Sequence, residues 1–149
     1  LAELPGAVLV LAGGGLDEAA LTARAAARGV AERVRFLGPV PHGELPVVLS
    51  AADVLVLPSA SEGLANAWVE ALACGTPVVT TPIPGARELL TEPAYGRFAG
   101  RDGAEIAAAV RDVLADPPPR DQVLRGAEGF SWEANAAALV AHWRRVAAG

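Results

Sequence analysis

Short β-branched and leucine runs recur along this sequence with helix-like windows between them, and that alternation leaves few folds open. The runs are Ala7–Leu11, Arg33–Leu37, Asp53–Leu57 and Pro77–Thr80. Each is apolar nearly throughout or fills a strand-length window, the pattern of a strand covered on both faces. Between them, Leu16 to Arg28 is alanine-rich and opens on Asp17 and Glu18, which suit a helix N-terminus. Glu44 to Ser50 is short, Ala65 to Cys74 stops at Gly75, and Ala86 to Leu90 is brief. Ala104 to Ala115 puts Ile106, Val110, Val113 and Leu114 on one face. Ser131 to Ala147 does the same with Leu139, Val140, Trp143 and Val146, with Ser131 as its cap and Glu133 close behind. Strand and helix in alternation predict a three-layer α/β fold, a parallel sheet between helices. Asp116-Pro117-Pro118-Pro119 separates two helices and is too short for a domain boundary, so residues 1–149 read as one domain.

In an open parallel sheet, ligands bind beyond the carboxyl ends of the strands. The most informative loop there is Pro58-Ser59-Ala60-Ser61-Glu62-Gly63-Leu64-Ala65-Asn66, which follows the third run. Gly63 permits close approach of backbone to a ligand. The helix that starts near Ala65 or Asn66 has first amides without internal partners, and its dipole adds positive potential. Together they suit a diphosphate. Glu70 lies four residues after Asn66, so both share one face a turn apart. A carboxylate there can accept hydrogen bonds from a vicinal diol such as a ribose. Glu62, in the loop, can reach a hexose attached beyond the phosphates. Either glutamate alone reads as an ordinary surface or loop charge; the joint pattern points to a site.

Other features carry less. Gly13-Gly14-Gly15 could cradle a phosphate, but Asp17 and Glu18 follow and oppose an anion, so it reads as a tight connection. His42 lies in a Pro/Gly-rich loop and reads as exposed; His142 reads as structural. Arg87 and Glu88 read as starting a short helix, Cys74 as a small buried residue, and Trp132 and Trp143 as packing the last helix onto the domain. Trp68 faces the core or a neighbouring domain.

The formal net charge is −5, with no Lys/Arg run and no lysine at all, which argues against general nucleic-acid or membrane-surface binding. One cysteine excludes an internal disulfide and a cysteine zinc site and suits a reducing, cytoplasmic setting. The histidines share no ligand pattern, and no metal is expected. The longest apolar stretch, Val47 to Pro58, is broken by Ser50 and Asp53 and is too short to span a bilayer.

The segment Glu62 to Val79 resembles the hallmark of the retaining group 1 (family 4) glycosyltransferases of GT-B fold: two glutamates with seven residues between them, then Ala-Leu-Ala-Cys-Gly-Thr-Pro-Val-Val. Val8 to Gly15, Val34 to Val40, Ser50 to Val54, Pro84 to Leu90 and Phe130 to Glu133 fit the same family in order. The resemblance implies a Rossmann-like C-terminal domain that binds a nucleoside diphosphate sugar. It assigns the ribose hydroxyls to Glu70, the transferred sugar to Glu62, and the sugar or diphosphate to the Gly63–Leu64 turn and the backbone amides of Leu64, Ala65 and Asn66. The base falls to the backbone around Pro39 and Val40; Pro39 has no N–H, so an amide contact there is Val40's. Gly63-Leu64-Ala65 stands where the family often has Gly-Phe-Gly or Gly-Phe-Pro.

The resemblance also implies a strand upstream of Val8, a helix bearing an Arg and a Lys that grip the diphosphate, and an N-terminal acceptor domain, none of which the sequence given includes. That predicts an open edge or slot in the sheet and self-association through it. Two functions therefore stand: the donor half of a retaining transferase with no cofactor beyond its donor and an oxocarbenium-like sugar as the high-energy species, or a nucleotide-sugar-binding module without turnover. A third, an epimerase or phosphorylase of the same fold, is disfavoured by the spaced glutamates and the Ala-Cys-Gly-Thr-Pro turn.

Overall fold

The computed structural model describes residues 1–148. The elements are β1 (Leu9–Ala12), α1 (Glu18–Ala27), β2 (Val34–Gly38), α2 (Leu45–Ala51), β3 (Leu55–Leu57), α3 (Asn66–Ala73), β4 (Val78–Thr80), α4 (Pro84–Leu89), β5 (Gly96–Phe98), α5 (Gly103–Ala115), α6 (Arg120–Arg125) and α7 (Trp132–Ala147). Every strand pairing is parallel, so the predicted α/β architecture is the one the chain adopts.

The strands form two ladders, β1–β2 and β3–β4–β5. Among the described residues, β1, β2, β3 and β5 each keep one edge unpaired.

Side-chain alternation makes the second ladder the middle of three layers. Leu55, Leu57 and Val78 point to one side, where they meet Trp68 and Leu72 of α3, Ala86 and Leu89 of α4, and Val123 of α6. Val54, Val56 and Val79 point to the other and meet Ala109, Val110 and Val113 of α5. The apolar face of α5 thus packs much as its spacing predicts, although Leu114 stays exposed. Asp102 caps this helix by accepting from the Ala104 amide at 2.8 Å.

The first ladder differs from expectation. Val8, Leu9 and Val10 are 56%, 37% and 46% exposed, so this run is not covered on both faces. The cause is visible: α1 buries no residue, and no strand lies along the free edge of β1. Val30 is the only buried hydrophobic side chain before Trp68 among the described residues.

The C-terminal helix also departs from expectation. Ser131 caps it as predicted, accepting from the Ala134 amide at 3.0 Å. Yet α7 buries nothing, and Trp132 and Trp143 are 85% and 62% exposed rather than packed on the domain. His142 is exposed too, accepting from Arg145 at 2.9 Å. The helix is amphipathic, but its apolar stripe has no partner among the described residues.

Two elements carry no apolar run and were not legible: β5, which is Gly-Arg-Phe, and α6, which begins directly after the proline run.

Candidate functional site

The site is built on the carboxyl ends of β3 and β4. After Leu57 the chain leaves β3, passes through residues 58–65 without regular structure, and enters α3 at Asn66. Ala65 is the N-cap residue and offers no side-chain acceptor. The backbone amides of Leu64, Ala65, Asn66 and Ala67 donate to no protein acceptor among the described residues. Four donors at the start of a helix, on a loop at a strand end, form a ready anion site. α3 stops where its sequence says it must: Gly75 takes φ +72° and donates to Leu72, while Thr76 donates to Ala71, a Schellman closure.

Three buried threonines hold the frame beneath this loop. Thr76 donates to the Leu49 carbonyl at 2.6 Å, Thr80 to Leu57 at 2.7 Å, and Thr81 to Ser59. They tie β4 and its flanks to α2, to the end of β3 and to the loop. The sequence pattern does not mark them: Thr80 in β4 looks like any β-branched strand residue, and Thr76 and Thr81 lie just outside that strand.

The predicted residues fall into two groups. Glu62, Gly63, Leu64, Ala65, Asn66 and Glu70 come together on one loop and helix. Glu62 is exposed, and Glu70, half-buried, sits one turn beyond Asn66 on α3. A Cβ added to Gly63 would meet nothing within 4 Å, and its φ is not positive. Neither conformation nor packing demands glycine there, which leaves space over its Cα for a ligand. Pro39 and Val40 stand apart, at the end of the first ladder. There Gly13 donates to the Gly38 carbonyl at 2.8 Å, and the Gly14 Cα side lies against Pro39. The glycine run is thus a tight connection against the β2 exit. The Val40 amide has no protein acceptor among the described residues. His42 lies in the exposed short turn that follows.

Some expectations need correction. Arg87 and Glu88 close α4 rather than start it, because Pro84 takes the first helical position. Arg87 donates to the Pro82 carbonyl at 2.8 Å and lies 5.7 Å over the Phe98 ring. Cys74 is half-buried, as the C-cap of α3, rather than fully enclosed. Trp68 belongs to the core, and its Nε1 is buried with no hydrogen-bond partner among the described residues. No helix is long and apolar enough to cross a membrane among those residues.

Comparison with known proteins gives this geometry its context. Residues 1–129 match the family model described as "Glycosyl transferases group 1". A D-inositol 3-phosphate glycosyltransferase of Frankia alni is 37% identical over 140 residues, which is 90% of this chain and 34% of the relative. A glycogen synthase of Mycobacterium tuberculosis is 39% identical over 140 residues, with the same two shares. The chain thus spans 34% of the length of these curated relatives. Among solved structures, sucrose-phosphate synthase from Thermosynechococcus elongatus superposes with a TM-score of 0.88 at 29% identity, over 99% of this chain and 40% of that one. Anabaena HepE in complex with UDP superposes with a TM-score of 0.73 at 25% identity, over 85% of this chain and 36% of that one.

Proposed function

The chain belongs to the group 1 glycosyl transferases, and on that premise we propose that it forms the donor-binding part of a retaining enzyme. The donor is a nucleoside diphosphate sugar. Its diphosphate lies at the N-terminus of α3, its ribose hydroxyls on Glu70, its transferred sugar on Glu62, and its base near Pro39 and Val40. The observation that carries this reading is the set of unpartnered amides from Leu64 to Ala67, with Glu70 one turn along the same helix.

The chemistry asked of these groups is positioning and charge stabilisation. As the bond from the anomeric carbon to the diphosphate breaks, negative charge grows on the leaving oxygens. Fixed amides and the helix dipole meet that charge without reorganising. Glu62 holds sugar hydroxyls and so orients the anomeric carbon. This account calls for no metal. The single thiol, Cys74, suits a reducing cytoplasm.

One observation favours a second reading for this chain taken alone. No Arg or Lys occurs between Pro58 and Cys74. Within this loop and helix the diphosphate would then meet neutral amides only, which supports binding better than turnover.

Calorimetric titration of UDP, GDP and ADP, followed by an assay of sugar-nucleotide hydrolysis, tests both readings. Binding of one nucleotide is the expected result, and UDP comes first because HepE carries it. Binding without hydrolysis selects the module. A folded chain that binds none of the three sinks the donor site.

A further inference from the structure

Gly85 sits in the first turn of α4, buried, with a φ that any residue can adopt. Conformation does not call for glycine there; space does. A Cβ at Gly85 would overlap the Gly63 carbonyl and stand 3.1 Å from the Leu64 nitrogen. The backbone of α4 therefore touches the loop one residue before its free amides begin.

That contact fixes a direction. The Gly63 carbonyl and the Leu64 N–H belong to one planar trans peptide, so they point opposite ways. With the carbonyl held against Gly85, the Leu64 N–H is aimed away from α4. A second tie acts at the other end of the loop, where the buried Thr81 hydroxyl donates to the Ser59 carbonyl. Between these supports the loop has no regular hydrogen-bonded structure of its own.

We propose that Gly85, together with Thr81, is a positioning residue for the donor diphosphate: the close approach of α4 to Gly63 sets the direction in which the Leu64–Asn66 amides point. This rests on the donor-site reading above. Gly85 touches no ligand itself and acts through the Gly63–Leu64 peptide. A side chain at position 85 must push that peptide aside or rotate it, and the Leu64 N–H turns with it.

The test compares the wild-type chain with Gly85→Ala, Thr81→Val and Thr81→Ser. UDP, GDP and ADP are titrated by calorimetry, and backbone amide NMR shifts are followed from Gly63 to Ala67 and at Val78 and Val79. Gly85→Ala is expected to move the loop shifts, leave those of β4 in place, and weaken the nucleotide that the wild type binds by roughly ten- to a hundredfold, the range for losing a hydrogen bond to a charged group. Thr81→Val should weaken it in the same direction and Thr81→Ser should restore it, and this pair decides the matter if Gly85→Ala does not fold. Wild-type affinity in both Gly85→Ala and Thr81→Val overturns the proposal while leaving the donor site standing. A wild type that binds no nucleotide overturns the donor site, and the positioning role falls with it.

Discussion

The Thr80 hydroxyl donates to the Leu57 carbonyl at 2.7 Å, joining the carboxyl ends of β4 and β3 from a wholly buried side chain. Leu57 also accepts from the Ser59 amide at 3.0 Å, so the carbonyl would not be orphaned without the threonine. Thr80→Val keeps the shape and removes one net hydrogen bond. The expected cost is about 1 kcal/mol, seen as a melting temperature lower by roughly 2–4 °C. A loss above about 3 kcal/mol would mean that the valine leaves a buried acceptor wholly unsatisfied, contrary to this geometry.

Gly63 and Glu70 should separate binding from folding. Gly63→Ala places a methyl group in open space, so the melting temperature should hold. If a donor sugar or phosphate approaches that Cα, nucleotide-sugar affinity should fall at least about tenfold, the equivalent of about 1.4 kcal/mol. Glu70→Ala should weaken UDP and UDP-sugar alike, since the ribose is common to both, by roughly tenfold or more. Affinity unchanged by Glu70→Ala would remove its ribose role, and a Gly63→Ala chain that binds normally would leave that glycine without a ligand to explain it.

Much of this was legible in the residues, and the reasons are physical. Val78 and Val79 face opposite covered surfaces, so a continuous apolar run marks that strand without help from its neighbours. Gly75 and Ser131 announce helix ends because only a few residue types serve there. The burial of the Val8–Leu11 run was not legible: it depends on what lies along a free edge, which no local pattern encodes. Trp143 was misjudged for the same reason, since an amphipathic stripe says that a helix wants a partner and not that it has one. Glu62 and Glu70 could be singled out from the local pattern, whereas Gly85 could not be, because its proposed role lies in a contact between α4 and a loop distant in sequence.

Gly96 offers a harsher probe of the second ladder. It takes φ +150°, and a Cβ there would overlap the Val78 carbonyl. Gly96→Ala therefore combines a backbone angle that L-residues avoid with a clash in the β4–β5 pairing. Circular dichroism and thermal melting should show a chain that fails to fold or loses several kcal/mol, on the order of 3 or more. A variant that melts within a degree or two of wild type would contradict the register of β5 against β4.

The two ladders should also differ in their dynamics. Among the described residues, all but one of the buried hydrophobic side chains lie from Trp68 onward, and both core clusters centre on the β3–β4–β5 ladder. Few buried contacts mean low free energies of local opening. Native-state hydrogen exchange should therefore find Val79, Val110 and Val113 among the slowest amides, with Val10, Leu11 and residues of α1 exchanging well before them. Equal protection of β1 and β4 would show a single cooperative unit that the burial does not predict.

Self-association follows from what the described residues leave uncovered. β1, β2, β3 and β5 each carry an unpaired edge, and β1 is apolar with exposed side chains. Such edges are templates for pairing with another chain. α7 adds Trp132, Trp143, Leu139, Val140 and Val146, all exposed. Multi-angle light scattering should give a mass that rises with protein concentration. The two sources are separable: Trp143→Gln removes an anchor from α7 without touching a strand, and Val10→Lys charges the edge strand without touching α7. Association weakened by Val10→Lys alone assigns it to the strand edge; association weakened by Trp143→Gln alone assigns it to the helix. A constant monomer mass up to high concentration would refute the expectation for both surfaces.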